Sequence, residues 1–247
     1  MIFITGDTHS YWMDRLNSHA FPEQKEMTKN DYVIVLGDFG IWDNSKTEKY
    51  NLDWLENKNF TTLFVDGNHE NYDILDSLPV EEWNGGKVSF IRPSVIHLKR
   101  GQVFEIEGKK FFTFGGASSH DIKDGILDPF EDRELIKKWR YDYTKMFRID
   151  HVSWWSRELP SEEEMKEGIK NLEKHDWEVD YILTHSPSSS VIALLGQGLY
   201  EQDILTKYLE EIRCETEYKR MFSGHFHINK AVNDKDILLY EQIIRIV

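Results

Sequence analysis

Short apolar runs recur along the chain, and five of them lead directly into a cluster of polar residues. Each run is rich in Val, Ile, Leu and Phe and stops at a Gly or a polar turn, which is typical of a buried strand. The five segments are IFITGDTH (2–9), YVIVLGDFG (32–40), LFVDGNHE (63–70), YILTHS (181–186) and MFSGHFH (221–227). Because chemistry in α/β sheets collects beyond the carboxyl ends of the strands, we expect these loops to meet in one pocket.

The pattern between these segments predicts alternating strands and helices, followed by hairpins. The elements expected in the first part of the chain are strands at 2–5, 32–36 and 61–65 and helices near 11–19 and 47–58. This alternation implies crossover connections and a sheet that is covered on both faces. Residues 87–116 change to short runs separated by turn residues, which predicts antiparallel hairpins and the beginning of a second sheet.

The remainder of the chain contains a polar interruption and then returns to helices and strands. Residues from about 120 to 160 break the rhythm and are interpreted as an insertion or lid, with a helix over 130–140. Ser161 and Glu164 have the spacing of a capping box for a helix from about 162 to 174. The later expected elements are a strand at 179–184, a helix at 200–212 and short strands within NKAVND, KDILLYEQ and IIRIV. We therefore expect one domain, 1–247, that carries the insertion.

Composition and charge limit the class of protein and its partners. Hydrophobic residues make up 40% of the chain and charged residues 30%, as in ordinary globular proteins. The chain shows neither a long apolar stretch nor a leader pattern, so we expect no membrane span and a cytoplasmic location. The formal net charge of -14 disfavours long nucleic acid as a partner, because a field of that sign repels polyanions. A small phosphorylated substrate remains compatible, since bound cations create local positive charge.

The polar clusters offer side chains that hold metal ions. They place Asp7, His9, Asp38, Asn68, His69, His185, His225 and His227 after the five apolar runs. The single cysteine excludes a cysteine-based metal cluster, so His, Asp and Asn must be the ligands. We expect two divalent or trivalent metal ions, with manganese as the first choice and iron, zinc or magnesium as alternatives, because the donors mix nitrogen and oxygen. Asp38 stands alone in its turn, and its two carboxylate oxygens suit a bridge between two cations.

The motifs GDTH, GDFG, GNHE, THS and GHFH resemble, in order, the motif series of the calcineurin-like metallophosphoesterase family. They span residues 6–227, which is nearly the whole chain. The resemblance implies an α/β fold, a four-layer αββα sandwich of two mixed sheets flanked by helices, with a two-metal site at its edge. It implies that one metal is held by Asp7, His9, Asp38 and His227, and the other by Asp38, Asn68, His185 and His225.

The same resemblance implies an activity and assigns the catalytic residues. The expected reaction is metal-dependent hydrolysis of a phosphoester, either a monoester or a diester, by a hydroxide that bridges the two metals. Asp38 and Asn68 belong to the catalytic set through the metals that they hold. His69 is not a ligand in the family, and the resemblance gives it the role of a general acid that protonates the leaving group. No covalent phosphoenzyme is expected.

Two alternatives stand beside this hypothesis. One is a catalytically silent metal-binding scaffold of the same fold, because a fold alone does not determine function. The other is a protein serine/threonine phosphatase, but those enzymes carry GD-x-x-DRG with an arginine that grips phosphate, and GDFGIWD (37–43) has no arginine. GGASSHD (115–121) and SWWSRELPS (153–161) are similar to stretches in poorly characterised bacterial and phage phosphoesterases. These stretches name no substrate.

Specificity is therefore expected to come from the insertion. Its candidates for substrate contact include His120, Asp121 and the adjacent Trp154 and Trp155. We interpret the tryptophan pair as an anchor for the insertion in preference to a stacking platform. Three arginines, Arg100, Arg140 and Arg148, are interpreted as solvated surface residues in preference to phosphate ligands.

Overall fold

The described chain consists of strands, helices and two short 3-10 turns. The computed structural model describes residues 1–196 and 202–247. The strands are β1 (Ile2–Thr5), β2 (Tyr32–Leu36), β3 (Thr61–Val65), β4 (Glu81–Trp83), β5 (Gly86–Arg92), β6 (Val95–Leu98), β7 (Gln102–Ile106), β8 (Lys109–Phe114), β9 (Gly125–Leu127), β10 (Phe147–Ile149), β11 (Tyr181–Thr184), β12 (Arg220–Ser223), β13 (Lys230–Ala231), β14 (Asp236–Leu238) and β15 (Ile244–Arg245). The helices are α1 (Trp12–Arg15), α2 (Lys46–Glu56), α3 (Tyr72–Ser77), α4 (Arg133–Trp139), α5 (Glu162–Lys174), α6 (Ser189–Gly196) and α7 (Ile204–Glu215), with 3-10 turns at Pro22–Glu26 and Ser156–Glu158.

Two large mixed sheets form the body of the molecule. The first has the order β15-β1-β2-β3-β6-β5-β4, parallel from β1 to β6 and antiparallel towards both edges. The second has the order β13-β14-β12-β11-β8-β7, parallel from β14 to β8 and antiparallel at β13 and β7. The hairpins predicted over 87–116 are present, and they divide between the sheets: β5–β6 belongs to the first and β7–β8 to the second.

Three apolar clusters separate four layers. The cluster between the sheets contains Ile4 and Leu36 from the first sheet and Phe111 and Phe222 from the second. On the outer face of the first sheet, Val35 and its neighbours pack against α1, α2 and α3. The outer face of the second sheet packs against α5 and α7. This is the predicted αββα sandwich, and it explains the continuous apolar runs, since both faces of each central strand are buried.

Some helices have bounds that differ from the prediction. α5 begins as expected, with the Oγ of Ser161 accepting the N–H of Glu164 and the carboxylate of Glu164 accepting the N–H of Ser161. The helix predicted near 11–19 is short, because the Asn17 amide donates to the carbonyls of Met13 and Asp14 and ends the turn. The helix predicted at 200–212 is observed as α7, and the first two predicted residues lie outside the described part of the chain. The pattern did not predict α3 or α6.

A buried tryptophan packs the predicted insertion against the rest of the domain. It contains the small parallel pair β9–β10 and α4. Trp155 is 1% exposed, its Nε1 donates to a carboxylate oxygen of Asp73 at 2.8 Å, and its ring packs edge-on against Trp42. The anchoring interpretation is therefore confirmed for Trp155. Among the described residues, no helix combines the length and the apolar character required to traverse a bilayer.

Candidate metal centre

The five polar clusters meet at one edge that the two sheets share. β1, β2 and β3 lead into it from the first sheet, and β11 and β12 lead into it from the second. Carboxylates link the loops: Asp38 Oδ1 accepts the N–H of His69 at 2.8 Å, and Asp7 Oδ1 accepts the N–H of His225 at 3.0 Å. The pocket expected from the strand ends is present, although its walls belong to two sheets.

One group of side chains brings four possible metal ligands together. Ligand atoms of Asp7, His9, Asp38 and His227 all lie within 4.8 Å of one another. The Nε2 atoms of His9 and His227 are only 2.9 Å apart. His9 Nε2 lies 3.7 Å from Asp38 Oδ2, and His227 Nε2 lies 3.1 Å from Asp7 Oδ2. Two imidazoles and two carboxylates that converge in this way fit a cation with mixed nitrogen and oxygen donors.

A second group shares Asp38 and is centred on His185. Its Nδ1 lies 2.8 Å from the carbonyl oxygen of Leu36, which can only accept, so Nδ1 carries the hydrogen. The opposite atom, Nε2, then faces Asn68 Oδ1 at 3.2 Å and Asp38 Oδ1 at 3.3 Å. Lone pairs this close repel one another unless a proton or a metal cation lies between them. The ring of His225 packs 5.0 Å from the ring of His185 and completes the group.

The backbone at the site adopts an uncommon conformation. Four non-glycine residues have positive φ angles: His9 (45°), Asp38 (42°), His225 (67°) and His227 (50°). Such residues concentrate at functional sites, where the surrounding structure holds them against a penalty of about 1 to 3 kcal/mol each. Gly37 has a φ of 85°, and a Cβ at this position would collide with the imidazole of His185. The glycine before Asp38 therefore lets two motifs approach closely.

The electrostatics of the site favour metal-binding protonation states. Burial by itself would raise the pKa of Asp7, but the surrounding histidines, His185 foremost, lower it to about 2. Desolvation lowers the pKa of His225 well below its ordinary value. The hydrogen bond that the half-exposed His227 donates to Asp7 raises the pKa of His227, so a proton competes with a cation there. Ionised carboxylates and neutral imidazoles are the forms that bind metal ions.

Glu70, the last residue of GNHE, holds the neighbouring loop. Its buried carboxylate accepts the backbone N–H groups of Phe39, Gly40 and Ile41 at 2.6 to 3.1 Å. These amides directly follow Asp38. Glu70 therefore fixes the turn that presents Asp38, which is a role that the sequence did not reveal.

Asn68 is oriented by a chain of hydrogen bonds from the end of the insertion. Its Nδ2 donates to the Oγ of Ser119 at 3.2 Å, which directs the amide oxygen towards His185. The N–H of Ser119 donates to Glu158 Oε2 at 3.1 Å. Glu158 is 2% exposed, and its burial raises its pKa to about 8. Ser119 lies in GGASSHD (115–121), and Glu158 lies in SWWSRELPS (153–161).

His69 lies beside the candidate metal ligands, and an arginine from the insertion reaches it. Its ring packs edge-on against His9, with 5.3 Å between centroids. Its Nε2 lies 3.4 Å from Nη2 of Arg148, whose guanidinium is held by Asp121. Burial lowers the pKa of His69, Asp38 opposes this shift, and the charge of Arg148 adds to it. The surface role proposed for Arg148 is therefore wrong.

The other two arginines do not reach the site through the contacts that the structure describes. Arg100 is buried and forms an ion pair with Asp66, so its predicted solvated role is also wrong. Arg140 is exposed, as predicted. No local signal in the sequence separates Arg148 from Arg140, since both lie in the same polar insertion.

Three cavities are lined by residues of the candidate metal centre. One has a volume of about 280 Å³ and is lined by His69, Asn68 and His120, among others. A cavity of about 470 Å³ shares His120 and His225 with it and extends towards α7. A cavity of about 700 Å³ is lined by Asp7 and His9. Residues of both candidate ligand groups therefore border cavities.

The chain matches a known protein family over most of its length. A family model described as calcineurin-like phosphoesterase matches residues 1–229. The lariat debranching enzyme of Schizosaccharomyces pombe is 23% identical over 175 residues, which cover 67% of this chain and 33% of that enzyme. The chain thus spans about a third of the length of that relative. Among solved structures, a phosphopantetheinyl hydrolase from Mycobacterium tuberculosis matches with a TM-score of 0.47 and 17% identity, covering 97% of this chain and 87% of that chain.

Proposed function

Because the chain belongs to the calcineurin-like phosphoesterase family, we propose that it hydrolyses a small phosphoester with the help of two metal ions. The observation that carries the proposal is the convergence of Asp7, His9, Asp38 and His227 beside a second group that shares Asp38. Manganese is the metal that we would test first, with iron, zinc and magnesium next. Bound metal ions would supply Lewis-acid polarisation of the phosphoryl oxygens and an activated water as nucleophile.

Residues of this chain would bind the ions, orient the ligands and transfer one proton. Asp7, His9, Asp38 and His227 would bind one ion, and Asp38, Asn68, His185 and His225 the other. The hydrogen bond of His185 Nδ1 to the carbonyl of Leu36 leaves Nε2 as the atom that would bind the second ion. His69 packs against His9 and belongs to neither group, so its Nε2, when protonated, would give a proton to the leaving oxygen.

A diester is favoured as the second candidate by two separate cavities that border the candidate ligands. A phosphodiester carries two ester arms, and the cavities of about 470 and 700 Å³ offer each arm a separate space. A monoester needs only one of them. The formal net charge of -14 still favours a small diester over a long nucleic acid.

The experiment that tests the proposal is a substrate and metal panel. We expect turnover of p-nitrophenyl phosphate, bis-p-nitrophenyl phosphate or both, with Mn, Mg or Zn added and none after chelation. Preference for the second compound would favour the diesterase. Absence of turnover on a broad phosphoester panel, with two metals per chain verified by elemental analysis, would favour the silent scaffold.

Substitution of His69 separates catalysis from metal binding. His69→Asn is expected to lower kcat by about 10²- to 10⁴-fold, the usual contribution of a general acid, while the metal content stays at the wild-type level. The matched control is His19→Asn, an exposed histidine, which should leave both quantities unchanged. Unchanged turnover in His69→Asn would remove the general-acid assignment.

A further inference from the structure

Arg148 is not a proposed metal ligand, but it contacts His69 beside the candidate metal centre. Its side chain is 16% exposed and comes from β10, in the insertion. Nη2 lies 3.4 Å from Nε2 of His69, the atom proposed to deliver the proton. A phosphoryl group placed beside His69 would bring an oxygen within reach of this Nη2. In the proposed reaction, the phosphoryl group is the part of the substrate that brings oxygens next to His69.

The guanidinium is held in a fixed orientation by two partners. Nε lies 2.9 Å from both carboxylate oxygens of Asp121, and Nη2 lies 2.7 Å from Asp121 Oδ2. Nη1 donates to the carbonyl oxygen of Ser153 at 3.2 Å. Of the five N–H donors of an arginine, these bonds use three, and the second hydrogen of Nη2 is directed at His69 Nε2. A substrate oxygen beside His69 would take over this hydrogen as its acceptor.

We infer that Arg148 binds a non-bridging phosphoryl oxygen of the substrate, an inference that rests on the proposed function. A planar arginine held by a carboxylate is preorganised for charge-assisted hydrogen bonds to phosphate. Asp121 offsets much of the arginine's charge, so the contribution is a directed hydrogen bond more than a long-range attraction. The insertion thereby supplies an arginine that the GDFG turn lacks. Asp121 is the positioning residue for it.

The test measures inhibition by inorganic phosphate together with steady-state kinetics of the metal-loaded enzyme. We expect Arg148→Ala to raise KM and the inhibition constant of phosphate by about 10- to 100-fold, the range for hydrogen bonds to charged groups. Arg148→Lys should recover part of this loss, because it keeps the charge and loses the planar fork. Asp121→Asn should shift both constants in the same direction by a smaller factor.

The matched control is Arg140→Ala, which removes an exposed arginine from the same insertion and should leave all constants unchanged. A lower kcat with unchanged phosphate inhibition in both Arg148 variants would mean that Arg148 acts on His69 alone, and would overturn the inference. Unchanged kinetics would overturn it as well. If the wild type hydrolyses nothing, the proposed function fails, and calorimetric titration with phosphate in the presence of Mn still compares wild type with Arg148→Ala.

Discussion

At the scale of single residues, Glu158 links the insertion to the candidate metal site. Its carboxylate is buried, and only the N–H of Ser119 donates to it among the contacts described above. Its second oxygen, Oε1, has no hydrogen-bond partner in residues 1–196 and 202–247. A buried carboxylate with so few donors favours its neutral form, which agrees with its pKa of about 8. The side chain of Glu158 is therefore expected to be mostly protonated in the folded protein at neutral pH.

This burial predicts a pH dependence of stability. The pKa of Glu158 rises from 4.5 to about 8 on folding, so the folded state binds the additional proton between these values. Stability is then greatest below pH 4.5 for this group and falls as the pH rises towards 8, by up to about 1.4 kcal/mol per pH unit. Urea denaturation of metal-free protein between pH 5.5 and 8.5 measures it. Glu158→Gln should show a flatter profile, and an equally steep profile in that variant would contradict the assignment.

At the scale of elements, the insertion depends on one buried ring. Trp155 fills a site between Trp42 and Asp73, and Tyr143 in the same insertion is 97% exposed. We expect Trp155→Ala to lower the free energy of unfolding by about 3 to 5 kcal/mol, the usual loss for a large buried aromatic. Tyr143→Ala should change it by less than about 0.5 kcal/mol. Chemical denaturation compares the two, and equal effects would mean that the insertion is not anchored by Trp155.

The sequence predicted the central elements well because their signals are local. Buried strands such as Tyr32–Leu36 are continuous apolar runs, and the capping box at Ser161 marks the start of α5. The sequence pattern did not predict which sheet each strand belongs to. β3 and β11 have the same apolar character but belong to different sheets, because burial on both faces produces the same pattern in each.

The candidate site was predictable as far as its motifs extend. Asp7, Asp38 and His185 follow strands, so their position could be read from the chain. Arg148 could not be recognised in this way, since its contact with His69 joins residues 79 positions apart and depends on how the insertion packs. Glu70 was also missed in its role, because its partners are backbone amides that carry no sequence signature.

At the scale of the whole molecule, the metal centre is expected to join the two sheets. Asp38 follows the first sheet and His185 the second, so ions bound between them would stabilise the packed arrangement. Mn at 100 times its Kd should add about 2.7 kcal/mol of stability per site, and chelation should lower Tm accordingly. Asp38→Asn should lose most of this shift and of the bound metal, whereas Asp14→Asn, at an exposed position, should keep both. A Tm that is indifferent to Mn would contradict the expectation.

The hydrogen bond between Asp7 and the N–H of His225 joins residues 218 positions apart. During synthesis, β1 to β3 leave the ribosome long before His225, His227 and the strand that precedes them exist. The first half of the chain therefore presents Asp7, His9 and Asp38 before His185, His225 and His227 have been made. The centre can therefore assemble only after residues 221–227 have been made and packed against β1. The proposed capacity to cleave phosphoesters would appear no earlier than that.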